Sequence, residues 1–206
     1  MEAAVIYETR YFLIDDCAYV SRCILNLADQ EWKYVFPQWP QAKPDCAFER
    51  RPVLKGLRGE FIVVELSESH VIERYLAHKF SFLVDQAADP AALAAADMLT
   101  GQLNGASESM CDFIMDLQNS AKKEAMYTKI AFVLTWHGRV LAATGTEFYF
   151  SNTNMHLTDP ALHFLYKFLL QIDEHIDFDD LEFPHAMNLI KAVGSNEKII
   201  SVVNVK

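Results

Sequence analysis

The sequence predicts an α+β fold, a mainly antiparallel sheet with a β-meander in the C-terminal half and helices grouped on one face. Three observations predict it. Residues 129–151 read as three strands, KIAFVLTW, RVLAAT and TEFYFS, separated by His137-Gly138 and by Gly145. His-Gly suits a two-residue hairpin turn, because glycine takes positive φ at little cost. The chain opens and closes on runs rich in β-branched and aromatic residues, 3–14 and 199–205. The helical segments between them come in groups, not in strict alternation with strands. One domain over 1–206 follows, with a sub-division near 85–106 as the alternative.

The elements follow in order. After the first strand, Asp15 and Asp16 are candidate caps for a helix whose Val20, Cys23, Ile24 and Leu27 share one face. A short aromatic strand, Trp32 to Phe36, leads into residues 37–59, a Pro- and Gly-rich stretch that reads as a long connection. Phe61 to Leu66 is a nearly continuous apolar run, the pattern of a buried strand. Ser67 is the expected cap of a helix with Val71, Ile72, Tyr75, Leu76 and Phe80 along one stripe. Asp89-Pro90 marks the next helix start, followed by an Ala-rich run over 91–99. Gly101 and Gly105 predict a break there, and a further helix is expected from Ser107 to Ala125. Asp159-Pro160 repeats the start signal ahead of Leu162, Leu165, Phe168, Leu169 and Ile172. Pro184 begins a short helix that Gly194 ends, and the closing strand inserts into the sheet.

Composition bounds the function. Of 206 residues, 51% are apolar and 22% charged, which describes a core-forming chain and not a disordered one. Lys plus Arg total 18 against 28 Asp plus Glu, a net charge of −10. That balance argues against affinity for nucleic acid or anionic membrane surfaces and suits a basic protein partner. The N-terminus lacks the basic start and apolar stretch of a signal peptide, and no apolar run approaches the roughly 20 residues of a membrane span. A cytoplasmic location is expected. Cys17, Cys23, Cys46 and Cys111 form no CxxC pair and read as free thiols.

The sequence contains no GxGxxG, no GxxxxGK[ST], no GxSxG and no HExxH, so it gives no basis for a nucleotide-phosphate loop, a serine-hydrolase elbow or a zincin site. No cofactor is implied. Histidines and acids gather late. His175, Asp177, Asp179 and His185 are the most metal-like set, since imidazole with carboxylate suits zinc, manganese or iron. An exposed acidic linker between two helices is the competing reading. His137 is expected in a turn and His163 on a helix surface, while Asn154, His156 and Thr158 precede a helix start where an anion could sit. Arg50, Arg51 and Arg58, with Lys55, form the only basic cluster, and Trp32, Tyr34 and Trp39 come just before it. Aromatic residues beside Arg are the composition of a protein-binding hot spot.

Two stretches resemble known families. KIAFVLTWHGRVLAATG resembles the helix-flanked hairpin of roadblock and profilin-like sensor domains, over less than a tenth of the chain. RYFLIDDCAYVSRCIL is similar to the opening of type VI secretion effector adaptors, whose later Arg-Phe-Tyr-Asp-Pro-type segment has no counterpart here. Neither carries functional residues over. The resulting expectation is a cytosolic protein-binding module of immunity, inhibitor or adaptor type. It would act through its acidic surface and the loop bearing Trp32, Tyr34, Trp39, Arg50, Arg51 and Arg58. Its partner would be another protein, a basic one or a second copy. The alternatives are a metal-dependent hydrolase with its site within 156–185, and a small-ligand sensor.

Overall fold

The computed structural model describes residues 4–12, 16–44, 46–84, 89–174, 176 and 182–202. They form two compact units, Met1–Phe82 with Asn196–Lys206, and Leu83–Ser195.

The first unit holds the sheet. Its strands are β1 (Ile6–Arg10), β2 (Trp32–Val35), β3 (Val53–Arg58) and β4 (Phe61–Ser67), in the spatial order β2-β1-β3-β4. β1 runs parallel to β2 and antiparallel to β3, and β3 pairs antiparallel with β4. Helix α1 (Tyr19–Leu27) makes the crossover from β1 to β2 and buries Val20, Cys23 and Ile24, the face its spacing predicts. Helix α2 (Ser69–Lys79) follows β4 and buries Ile72 and Leu76. On β1, Tyr7 and Thr9 point into the core, and Tyr7 meets Phe80 edge-on at 6.0 Å. Gly56 sits where the β3–β4 register shifts, and a Cβ there would come within 2.6 Å of Val64 Cγ1.

The second unit is helical: α3 (Pro90–Ile114), α4 (Ser120–Thr144), α5 (Thr158–Ile172) and α6 (Pro184–Gly194). Helix α3 packs on α4 and α5, and α6 on α4 and α5. Asp89 caps α3 as its sequence predicts, accepting from the N–H groups of Ala91 and Ala92 at 3.1 and 2.9 Å. Gly194 is the last residue of α6, and a Cβ there would stand 2.8 Å from His163 Cε1.

The predicted fold class is therefore corrected. The sheet has four strands, all within the first unit, and there is no β-meander over 129–151. KIAFVLTWHGRVLAAT lies in α4, where Ile130, Val133, Leu134, His137 and Leu141 are buried. These positions recur at three- and four-residue intervals, so the true period is helical and overrides the β-branched and aromatic content. Phe132 and Trp136, strand formers by composition, are 51% and 46% exposed on the outer face. Helices do not gather on one face of one sheet, since four of them build the second unit. The expected closing strand is helix α7 (Glu197–Val202), which buries Ile199 and Val202 three residues apart and packs on α1. Asn196 starts it by accepting from Lys198 N–H at 3.0 Å. Residues 203–205 of that expected strand lie outside the described residues.

Smaller differences follow the same logic. Gly101 and Gly105 do not break α3, whose 25 residues run on through both. β3 lies inside the stretch read as a connection. β4 is not a buried central strand but the sheet edge, with Phe61, Ile62 and Val63 exposed. Among the described residues no helix is long and apolar enough to cross a membrane.

One consequence is testable. Gly56→Ala forces Val64 or the bulge to move, and overpacking of this kind costs about 1–3 kcal/mol. The urea midpoint of the variant should fall well below that of the parent, and an unchanged midpoint would show that the bulge relaxes freely.

Candidate functional site

The strand register gathers one set of side chains at one end of the sheet. Arg10 pairs with Val35 on one side and Val53 on the other, and Val53 pairs with Ser67. The ends of β1, β2 and β4 and the start of β3 therefore meet there. It is also the end at which the chain leaves β1 in opposite spatial directions, to β2 through α1 and later to β3, the kind of switch point where open sheets bind ligands.

Tyr11 and Phe12 follow β1. The Tyr11 side chain is 5% exposed, and its hydroxyl donates to Asp16 Oδ2 at 2.8 Å. The Cys17 thiol donates to the other oxygen of that carboxylate, Asp16 Oδ1, at 3.2 Å. Burial, reinforced by Cys17 and Asp16, pushes the Tyr11 phenol far above its usual range, so it stays protonated and keeps a proton to donate. Tyr34, on β2, donates its hydroxyl to the Tyr11 carbonyl at 2.7 Å, and the Arg22 guanidinium lies over the Tyr34 ring at 4.6 Å. Trp39 meets Phe12 edge-on at 5.7 Å and carries the Arg51 guanidinium at 5.6 Å. The Trp39-Pro40 and Arg51-Pro52 bonds are both cis. Arg51 Nε is buried and has no hydrogen-bond partner among the described residues.

Across the sheet end, α2 begins at Ser69. Glu68 is its N-cap at φ 73°, and the Glu68 side chain makes no capping hydrogen bond. Val71 N–H bonds the Glu68 carbonyl at 3.1 Å, which leaves the N–H groups of Ser69 and His70 and the helix dipole to face an anion. Arg50 lies 4.0 Å from Glu68. The assembly offers a phenol donor, a guanidinium nitrogen and a helix N-terminus around one sheet end. That set can hold a small anionic ligand and place a hydrogen bond on one of its atoms.

The structure sorts the sequence candidates. Trp39, Arg50, Arg51 and the hydroxyl of Tyr34 belong to this end. Trp32 and Arg58 do not: Trp32 pairs with Tyr7, and Arg58 with Phe61, at the opposite end of the strands. Trp32 Nε1 donates to Asn26 Oδ1 at 2.6 Å. Of the metal set, His175, Asp177 and Asp179 lie outside the described residues. His185 is exposed at the start of α6, beside a cavity of about 300 Å³ that Thr146 and Asn188 also line. Among the described residues no three His, Cys, Asp or Glu side chains converge as metal ligands. None of the four cysteines is in a disulfide. Tyr11, Asp16 and Ser69 were not singled out for function by sequence reasoning. Asp16 reads as a helix cap, yet α1 starts at Tyr19 without a side-chain cap and the Asp16 carboxylate turns to Tyr11 instead.

The second unit has a buried polar cluster of another kind. His137, expected in a turn, is fully buried in α4 and bonds through Nδ1 to the Tyr149 hydroxyl. Asp159, also fully buried, accepts from Tyr149 N–H at 3.1 Å and from His156 N–H at 2.6 Å. It ties the loop before α5 to the helix start, the structural role of a cap. His163 is packed, not on the surface as expected: Nδ1 meets the Ile190 carbonyl at 3.1 Å.

Comparisons with known proteins add the last observation. No family model matches the sequence and no curated protein is similar to it. Solved structures match along nearly all of the chain. A Nu-class glutathione transferase from Haemonchus contortus superposes with a TM-score of 0.79 at 20% identity, covering 98% of this chain and 97% of that one. Prostaglandin synthase D of Nilaparvata lugens gives 0.78 at 18% identity, over 98% of both chains. A Methylobacillus flagellatus glutathione S-transferase with glutathione bound gives 0.78 at 18% identity, over 95% of this chain and 98% of that one. The chain therefore has the glutathione-transferase fold, a thioredoxin-like sheet unit followed by a helical unit. This overturns the expected immunity, inhibitor or adaptor module and the metal-hydrolase alternative. The roadblock-like resemblance falls as well, since that stretch is a helix and not a hairpin.

The buried histidine gives a prediction with a definite sign. Burial lowers the His137 pKa from 6.5 to about 4, so the native state binds fewer protons than the unfolded state between those values. The stability this gives is present above pH 6.5 and lost as pH falls toward 4. Burial raises Glu73 to about 8 and Asp159 to about 7, which acts in the opposite direction, but those groups remain in a His137→Leu variant. The parent should therefore lose about 2–3 kcal/mol more than His137→Leu between pH 7 and pH 4 in chemical unfolding. Parallel pH profiles would contradict this.

Proposed function

We propose that the chain binds glutathione at the sheet end and joins it through its sulfur to electrophilic small molecules. The observation that carries this reading is the Tyr11 hydroxyl, a protonated buried donor at the end of β1 in a transferase fold matched over nearly the whole chain. Two features support it. Glutathione is a small anionic peptide with two carboxylates and a thiol. The start of α2, with Ser69 as its first residue, suits one carboxylate. Arg51, with its unpartnered Nε, suits an anionic oxygen.

The chemistry needs a thiolate, because the thiolate and not the thiol is the nucleophile. A phenol that does not ionise cannot take the proton. It can donate a hydrogen bond to the sulfur anion, lowering the pKa of the bound thiol so that its proton leaves to solvent. The sulfur then attacks an electrophilic carbon. With an aryl chloride the C–S bond forms, the C–Cl bond breaks and chloride departs.

Calorimetry should give a glutathione Kd below about 1 mM, equivalent to at least about 4 kcal/mol of binding. Conjugation to chlorodinitrobenzene should proceed above the uncatalysed rate. In Tyr11→Phe it should fall about 10- to 100-fold in kcat, with Kd changed less than about threefold. No binding at about ten times that concentration would defeat the reading.

A further inference from the structure

Tyr11 does not present a free donor. Its hydroxyl is held by Asp16 Oδ2 at 2.8 Å, and Asp16 Oδ1 takes the Cys17 thiol proton at 3.2 Å. One carboxylate thus accepts from two side-chain donors. Tyr19 N–H bonds the Asp16 carbonyl at 2.7 Å, which fixes the Asp16 backbone against the first turn of α1 and keeps its side chain at the phenol. Tyr34 reaches the Tyr11 carbonyl and not its hydroxyl, so it does not compete for Asp16. Arg22 lies over the Tyr34 ring at 4.6 Å, and Arg50 and Arg51 stand at the same sheet end.

We propose that Asp16 is a positioning residue that restrains thiol activation: its carboxylate occupies the Tyr11 donor, so that a glutathione sulfur at Tyr11 must share or displace an anion. This rests on the glutathione reading above. The physics is a competition for one proton donor. A hydroxyl already donating to a carboxylate gives a weaker bond to a second anion, and the carboxylate's charge within a few ångströms of the sulfur disfavours thiolate. The titratable groups facing the pair are Cys17 beside Asp16, Tyr34 on the Tyr11 backbone and Arg22 over Tyr34. Asp16 therefore sets the pH at which the bound thiol ionises more than it sets the affinity for the peptide.

The test is the ultraviolet absorbance of the thiolate in the glutathione complex, titrated with pH in the full chain. Asp16→Ala should lower the bound thiol's pKa by about one unit, giving about tenfold more thiolate, and a tenfold higher kcat, below that pKa. Kd should change less than about threefold. Asp16→Asn keeps the side-chain shape and should give a shift in the same direction, and it carries the test if the alanine variant does not fold. In Tyr11→Phe the further change Asp16→Ala should produce at most half of that shift, because the donor through which Asp16 acts is gone. An unchanged or raised thiol pKa in both Asp16 variants overturns the inference while leaving glutathione binding intact. An equal shift with and without Tyr11 overturns it too, since the carboxylate would then act by charge alone. Absence of glutathione binding in every protein overturns the functional reading and this inference with it.

Discussion

The pairing of β1 between β2 and β3 is the constraint on which the site depends. A strand parallel to one neighbour and antiparallel to the other has its C-terminal end beside the end of the first and the start of the second. Arg10 opposite Val35 and Val53 is that statement in register. It brings residues from four separate sequence segments, Tyr11, Trp39, Arg51 and Ser69, to one end without any of them being near another along the chain. Moving the β1–β3 register by one residue would turn Tyr7 and Thr9 out of the core, since side chains alternate between faces. The buried phenyl and hydroxyl of β1 thus hold the alignment that the loops exploit.

Much of the scaffold was legible. The first strand, α1, α2, the Asp89-Pro90 start and the Gly194 stop all carry local signals that tertiary packing did not override. The central error came from α4. Ile130, Phe132, Val133, Trp136 and Val140 favour strands by propensity, and Gly138 after His137 imitates a turn. The burial pattern of Ile130, Val133, Leu134, His137 and Leu141 shows that spacing mattered more than composition. β3 was hidden because Pro52 precedes it and Gly56 interrupts it, both of which punctuate loops more often than strands. α7 was misread because a short helix with Ile199, Ile200 and Val202 has the composition of a strand.

The site was legible only in part, and for a physical reason. Trp39 and Arg51 stood out because aromatic and guanidinium groups in a loop are unusual, but the same criterion drew in Trp32 and Arg58, which the register sends to the other end. Tyr11 lay unmarked inside a run of strand-forming residues. Its value comes from what it touches, Asp16 and the backbone bonded to Tyr34, and those contacts exist only after the sheet forms. Asp16 had an ordinary explanation as a cap, and only the geometry shows that it serves the phenol. In the helical unit, His137 and Asp159 are polar groups placed to hold backbone and side-chain partners, so their burial marks architecture and not chemistry.

The central claim is that this sheet end is a binding site for a thiol peptide. A titration of isotope-labelled protein with reduced glutathione, followed by nitrogen–proton correlation NMR, tests it most directly. The account predicts saturable shifts concentrated at the amides of Tyr11, Asp16, Trp39, Arg51 and Ser69, with little change at Phe61–Val63 or along the outer face of α4. Shifts centred elsewhere, or none up to several millimolar glutathione, would contradict it.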